Sequence, residues 1–271
     1  MKLGGIAVPY MVGDPQHGAS RGTVRLAAAA GLAARQVAVA VPEGSPSERS
    51  LTVNRALAPL VREVAAAGDV PLVLAGTCDS CLGVLAGLPR RRALGVVWID
   101  AHGDFNTPET SASGFIPGMC LAAAVGHCAG AAWAALVDGG AIPEEHVLLY
   151  GTRDLDPPER VRLERSAVSV VEWRNGRPQR DLRAPLEALA ARVDAVYLHI
   201  DLDGLDPEVA PGTYERPAPG GLRLDEVDVI LDTLRARVPL AGATIATYDV
   251  DRDVGDRTLR AALHIIERLG A

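Results

Sequence analysis

"WIDAHGDFN", residues 98–106, sets two aspartates around one histidine at every second position, directly after the apolar run "GVVWID" of residues 95–100. A short apolar run closed by polar turn formers reads as a buried strand. In extended backbone, residues i, i+2 and i+4 project to one side, so Asp100, His102 and Asp104 are placed to converge on one point. A strand buried on both faces belongs to a parallel sheet covered by helices. The reading of this stretch therefore decides the fold class, and the rest of the chain repeats it.

Similar apolar runs lie at 4–10, 36–42, 71–77, 146–152, 168–173, 195–201 and 242–250, each ending in a Gly, Asp, Pro or Thr signal. Between them, residues 52–69, 181–194 and 223–238 carry apolar side chains at helical spacing, and the Ala-rich patches 26–34 and 129–135 read as well-packed helices. Strand and helix alternate throughout. The pattern predicts an α/β protein, a three-layer αβα arrangement about a central, mostly parallel sheet of about eight strands, in one domain spanning residues 1–271. There is no linker, internal repeat or low-complexity tract. Residues 103–118, "GDFNTPETSASGFIPG", form a polar loop of unusual length for such a fold, which marks it as functional. Ligands in open parallel sheets bind beyond the carboxyl ends of the strands.

The composition, 48% hydrophobic and 23% charged, is that of a globular chain with ample core material. A formal net charge of -7 offers no field for nucleic acid or an anionic membrane. The N-terminus breaks at Gly and Pro before a signal-peptide core could form, and no segment reaches the ~20 apolar residues of a membrane span. A cytoplasmic protein acting on a small molecule is expected, and homo-oligomerisation stays open. Cys78 and Cys81 form a C-x-x-C, but no second pair or His pair completes a structural zinc site, and their position deep in the chain argues against a thioredoxin-like pair. Cys120 and Cys128 complete a set too small for a disulfide scaffold.

A second strand ends in acid. "HIDLDGLDP" brings Asp201 and Asp203, with Asp206 further on. Any one of these aspartates could be a helix cap or turn former. Two clusters at two strand ends point instead to a cation, because carboxylates so close repel one another. An oxygen-rich set with one imidazole suits manganese better than zinc. Shared carboxylates can bridge two ions about 3.5–4 Å apart that hold and ionise a water, so hydrolysis is the expected chemistry.

These segments carry a family resemblance. "DAHGDFNTPETSASG" and "HIDLDGLDPEVAPGTYERPAPGGL" resemble the two metal-binding signatures of the arginase, agmatinase and related ureohydrolase family, and "YGTRDLDPPE" (150–159) is similar to its G-x-R-D-x-D segment. The resemblance implies an α/β fold with two Mn2+ per chain. It places Asp100, His102, Asp104, Asp201 and Asp203 as metal ligands, with Asp100 and Asp201 bridging and holding a catalytic hydroxide. Asn106, Ser111 and Ser113 fall where the family holds a substrate carboxylate. Asp156, with Glu159 nearby, falls where it meets an α-amino group. The substrate implied is a small guanidine.

Three positions depart from that pattern. The family's first metal histidine lies in a "GGDHS"-like turn, and "AGTCDSCLG" (75–83) puts Cys78 there, where a thiolate could ligate the first ion. The family's histidine after the loop aligns with Pro117. Its guanidinium-clamping glutamate aligns near Thr247, with Asp249 the nearest acid. Losing the clamp penalises a protonated guanidinium more than a weakly basic one. Arginase-like enzymes of antibiotic pathways, such as D-cycloserine biosynthesis, hydrolyse Nω-hydroxy-L-arginine to L-ornithine and hydroxyurea and are similar in carrying cysteine at that metal position. That activity is the expectation. The alternatives are an ordinary arginase, agmatinase or guanidino-acid hydrolase, or a relative that keeps the fold without catalysis. Among the remaining side chains, His199 reads as packed behind the cluster and Trp98 as core, while His17, His127, His146 and His264 read as surface or capping groups.

Overall fold

The computed structural model describes residues 1–89, 93–128, 140–214 and 218–271. An eight-stranded sheet forms from β1 (Leu3–Val8), β2 (Arg35–Gln36), β3 (Val70–Ala75), β4 (Leu94–Ile99), β5 (Val147–Tyr150), β6 (Ser169–Val171), β9 (Ala195–Asp201) and β10 (Leu240–Ala246). Its order is β2-β1-β3-β10-β9-β4-β5-β6, and every pairing is parallel. Seven of the eight apolar runs each supply one of these strands, and the run at 36–42 contributes only Gln36 to β2. The helices are α1 (Gly18–Ala29), α2 (Pro46–Ala66), α3 (Cys81–Gly87), α4 (Cys120–Ala124), α5 (Pro157–Arg165), α6 (Arg183–Ala190), α7 (Leu224–Arg237) and α8 (Arg257–Gly270). The Ala-rich stretch 129–135 lies outside the described residues. No helix among the described residues is long and apolar enough to cross a membrane.

Period-two alternation divides the sheet between two cores. Val73, Val96, Trp98 and Tyr197 face α2, α3 and α4, whereas Leu72, Val97, Ile99 and Leu198 face α1, α6, α7 and α8. Helix, sheet and helix thus form three layers.

The boundaries differ from the sequence reading where side chains intervene. β2 stops at Gln36 because the backbone beyond it turns to the Tyr10 hydroxyl, which bonds both Val39 N and Val39 O. α2 begins earlier than the periodicity suggests, since Ser45 and Glu48 close a capping box before its first turn. β10 ends at Ala246 because Thr247 adopts φ 72°. A hairpin of β7 (Trp173–Arg174) and β8 (Arg177–Pro178) turns on Asn175-Gly176, both at positive φ, an Asn-Gly turn the sequence reading passed over.

The order brings the ends of β3, β10, β9 and β4 side by side. From β3 the sheet grows outward through β1, and from β4 it grows the other way through β5. The direction in which strands are added therefore reverses across this point, where the crevice of an open parallel sheet lies.

Candidate functional site

The ends of β3, β4 and β9 deliver four carboxylates and a thiol to one buried place, and the end of β10 adds Thr247 beside them. Asp100, Asp104, Asp201, Asp203 and Cys78 are all at most 5% exposed, and His102 is half-buried above them. One donor atom each from Cys78, Asp100 and Asp104 lies within 4.8 Å of the others, and the same holds for Asp100, His102 and Asp203. Asp100 belongs to both sets. His102 Nδ1 stands 3.3 Å from both Asp100 Oδ1 and Asp203 Oδ2.

The convergence is not the simple extended projection expected from the sequence. β4 ends at Ile99, and Asp104 returns to the cluster through a left-handed residue, φ 50°, a conformation Asp tolerates better than most. Backbone and neighbouring side chains then fix each acid. Asp100 accepts from His102 N (2.7 Å) and from the Trp98 indole N–H (3.0 Å). Asp203 accepts from Ala101 N, and Asp201 accepts from Asp203 N, from the Thr247 hydroxyl and from the Cys78 thiol at 2.8 Å. Cys120 donates to Asp104 Oδ2 at 3.4 Å. Cys78 opens a 3-10 turn held by the buried Asp79, which accepts from Ser50 and Thr77.

Burial and crowding shape the charges. Burial, then the neighbouring Asp203, pushes Asp100 up to about 6. Asp104 and Asp201 rise well above the usual carboxylate range, through burial first and their acidic neighbours second. Burial likewise raises the Cys78 thiol, with Asp201, Asp104 and Asp100 adding to it. The cluster is electrostatically short of positive charge, which is the condition a bound multivalent cation relieves.

A cavity of about 270 Å³ opens on this cluster. Cys78, His102, Asp104, Asp201 and Asp203 line its floor, and Asn106, Ser111, Ser113, Phe115, Asp154, Asp156, Tyr214 and Thr247 contribute to its walls. It falls at the low end of small-molecule sites, a size for a metabolite. Asn106 is anchored from both sides, donating to Asp156 Oδ2 (3.1 Å) and accepting from the Thr110 hydroxyl (2.9 Å). Ser111 and Ser113 each accept a backbone N–H within the loop, from Gly114 and Phe115. Glu159 lines the cavity too, but it is buried and accepts from Phe105 N at 2.8 Å, so it braces the "HGDF" segment rather than reaching outward. Burial raises it to about 7. Asp249, the nearest acid to Thr247, does not reach the cavity. It turns toward the start of α1, where a Cβ on Gly18 would meet its Oδ1 at 2.0 Å.

Several contributors escaped the sequence reading. Trp98 was legible as core, but its place two residues before Asp100 on one strand face also signalled contact with that carboxylate. Asp154, Phe115 and Tyr214 lie inside segments already singled out, Asp154 in the G-x-R-D-x-D match, but were not themselves named as site residues. Of the histidines, His199 is buried and stacked on Trp98, with ring centroids 3.7 Å apart. His17 caps α1, and His264 pairs with Asp228.

The sequence profile of the arginase family matches residues 15–270. The chain is 36% identical to the arginase of Bacillus caldovelox over 80% of its own length and 73% of that protein's. It is 31% identical to the N(omega)-hydroxy-L-arginine amidinohydrolase of Streptomyces lavendulae over 73% of its length and 67% of the relative's. The crystal structure of arginase from Bacillus cereus superposes with a TM-score of 0.84 at 28% identity, covering 100% of this chain and 99% of that one. By profile, sequence and fold together, the chain belongs to the arginase family, hydrolases of guanidino C–N bonds.

Proposed function

We propose that this ureohydrolase is a binuclear manganese amidinohydrolase acting on an arginine derivative, and that it converts Nω-hydroxy-L-arginine and water to L-ornithine and hydroxyurea in antibiotic biosynthesis. The observation that carries the proposal is a pair of replacements facing one cavity: a thiol, Cys78, against Asp201, and Thr247 where a clamping glutamate is expected.

The donor set fits two divalent ions. Cys78, Asp100 and Asp104 would hold one, and Asp100, His102 and Asp203 the other, with Asp201 beside Cys78 as the second bridge. Mostly carboxylate oxygen with one imidazole suits manganese, and Cys78 would bind as thiolate. When bound, such a pair supplies Lewis acidity and lowers the pKa of a coordinated water toward neutrality.

The chain's own residues would do the rest. Ser111 and Ser113 hydroxyls, with the Asn106 amide, offer donors to an α-carboxylate, and the exposed Asp156 and Asp154 offer acceptors to an α-amino group. Thr247 offers a hydroxyl already committed to Asp201, and no charge. A protonated guanidinium would find no partner there. The less basic N-hydroxyguanidine needs none.

Arginase activity is the second reading, favoured by identities of 35–37% to three bacillary arginases. The test is a product panel: purified, Mn2+-loaded protein with L-arginine, Nω-hydroxy-L-arginine, agmatine and 4-guanidinobutyrate, scored for urea, hydroxyurea and amine. Hydroxyurea with ornithine as the dominant output supports the proposal. Dominant turnover of any of the other three overturns it.

A further inference from the structure

Arg153 lies inside the "YGTRDLDPPE" segment, yet none of the roles above uses it. Its guanidinium is mostly buried, and the hydrogen bonds it makes among the described residues end on backbone carbonyls. Nε donates to Ala218 O (2.9 Å). Nη1 donates to Gly151 O and Gly204 O (both 3.1 Å). Nη2 donates to Asp203 O (2.8 Å), Leu205 O (3.1 Å) and Ala218 O (2.8 Å).

Those carbonyls belong to three separate pieces of chain. Gly151 follows β5, residues 203–205 form the turn directly after β9, and Ala218 lies in the loop beyond it. Asp201 closes β9 and caps the turn that carries Asp203, whose Gly204 packs so close to Asp100 that an added Cβ would stand 2.9 Å from Asp100 N. One side chain thus pins the second acidic strand end to the neighbourhood of the first. Only a planar fork with five N–H donors can span such a set, and lysine cannot.

The charge matters as well as the fork. Carbonyl dipoles solvate the cation without neutralising it, so its field still acts on the nearby Asp203 and Asp100 carboxylates. A fixed cation behind the acids offsets part of their mutual repulsion before any metal arrives.

We propose that Arg153 is a positioning residue of the metal centre, fixing the 203–205 turn so that Asp201 and Asp203 meet the acids of β4 in a metal-ready arrangement. The inference rests on the metal-centre reading above. Arg153→Lys keeps the charge and loses the fork, and Arg153→Met loses both. The measurements are Mn2+ affinity by competition against a chelator, melting of metal-free and metal-loaded protein, and kcat and KM under limiting and excess Mn2+.

The expected result for Arg153→Lys is a folded metal-free protein whose Mn2+ affinity drops by about 10–100-fold, the range typical of groups that orient metal ligands. Its kcat should recover in excess Mn2+ with substrate KM unchanged, and Arg153→Met should be the weaker binder of the two. Unchanged Mn2+ affinity, with melting lowered equally in both metal states, would overturn the proposal, as would loss of fold in both variants, since either outcome marks Arg153 as a purely structural residue. Wild-type protein that takes up no Mn2+ would overturn the metal-centre reading itself.

Discussion

The Cys78 thiol donates to Asp201 Oδ2 across 2.8 Å, joining the turn after β3 to the end of β9, although β10 lies between those two strands in the sheet. The contact closes a ring of acids with a soft donor that shares a metal-sized cluster with Asp100 and Asp104. If that donor ligates metal, Cys78→Ala removes a ligand while leaving the fold, because Asp79, Ser50 and Thr77 hold the turn independently. Its Mn2+ affinity should fall at least about tenfold, no less than for losing a group that merely orients a ligand. Cys78→His should retain two ions. Metal analysis after gel filtration decides the point, and an unaltered metal content and rate in Cys78→Ala would remove Cys78 from the ligand set.

The crowding of Gly204 against Asp100 makes a steric prediction. A Cβ there would lie 2.9 Å from Asp100 N and 3.1 Å from its Cα, and backbone atoms cannot swing aside. Gly204→Ala should therefore cost about 1–3 kcal/mol in unfolding free energy. It should also displace Asp100 and so weaken Mn2+ binding. Denaturant melts and metal titration read both effects. A variant with wild-type stability would show the contact to be slack.

Glu159 supplies a pH signature. Burial raises its folded-state pKa to about 7 from an ordinary 4.5. The folded protein thus holds the proton more tightly than the unfolded chain, so stability from this group is full below pH 4.5 and is lost as pH rises through 7. Glu159→Gln keeps an acceptor for Phe105 N without the titration. The variant should gain stability relative to wild type between pH 5 and pH 8. Parallel stability profiles for the two proteins over that interval would contradict the assignment.

Ser111 and Ser113 make a prediction about the amino-acid end of the substrate. Hydrogen bonds to a charged group contribute about 1.5–3 kcal/mol each, so removing both hydroxyls should raise KM for an α-amino acid substrate by about a hundredfold or more. Agmatine, which has no carboxylate, should be unaffected. Equal losses on both substrates would place the serines elsewhere in the reaction.

The fold was legible because parallel strands buried on both faces leave long apolar runs, and seven of the eight runs became strands, while the run at 36–42 reaches the sheet only at Gln36. The edges of elements were less legible. Tyr10 ending β2 and Thr247 ending β10 act through contacts distant in sequence. The acids of the site stood out because carboxylates at strand ends have few structural reasons to cluster. Their supports did not, since Trp98, Cys120 and Arg153 are ordinary residues whose role depends on what the fold sets beside them. Glu159 was found in the right place but turned inward, toward the backbone of Phe105. Thr247 is a further case: a β-branched residue at φ 72° is a backbone outlier, held by Thr247 N donating to Ala75 O and by its hydroxyl on Asp201.

The most direct measurement is a competition in one vessel. Mn2+-loaded protein is given equal concentrations of L-arginine and Nω-hydroxy-L-arginine, and initial rates of urea and hydroxyurea are read together, giving the ratio of the two kcat/KM values. The account predicts that hydroxyurea dominates, and that Thr247→Glu, which restores an acid to the cavity wall, shifts the ratio toward urea. Urea as the main product of the unaltered protein would contradict it.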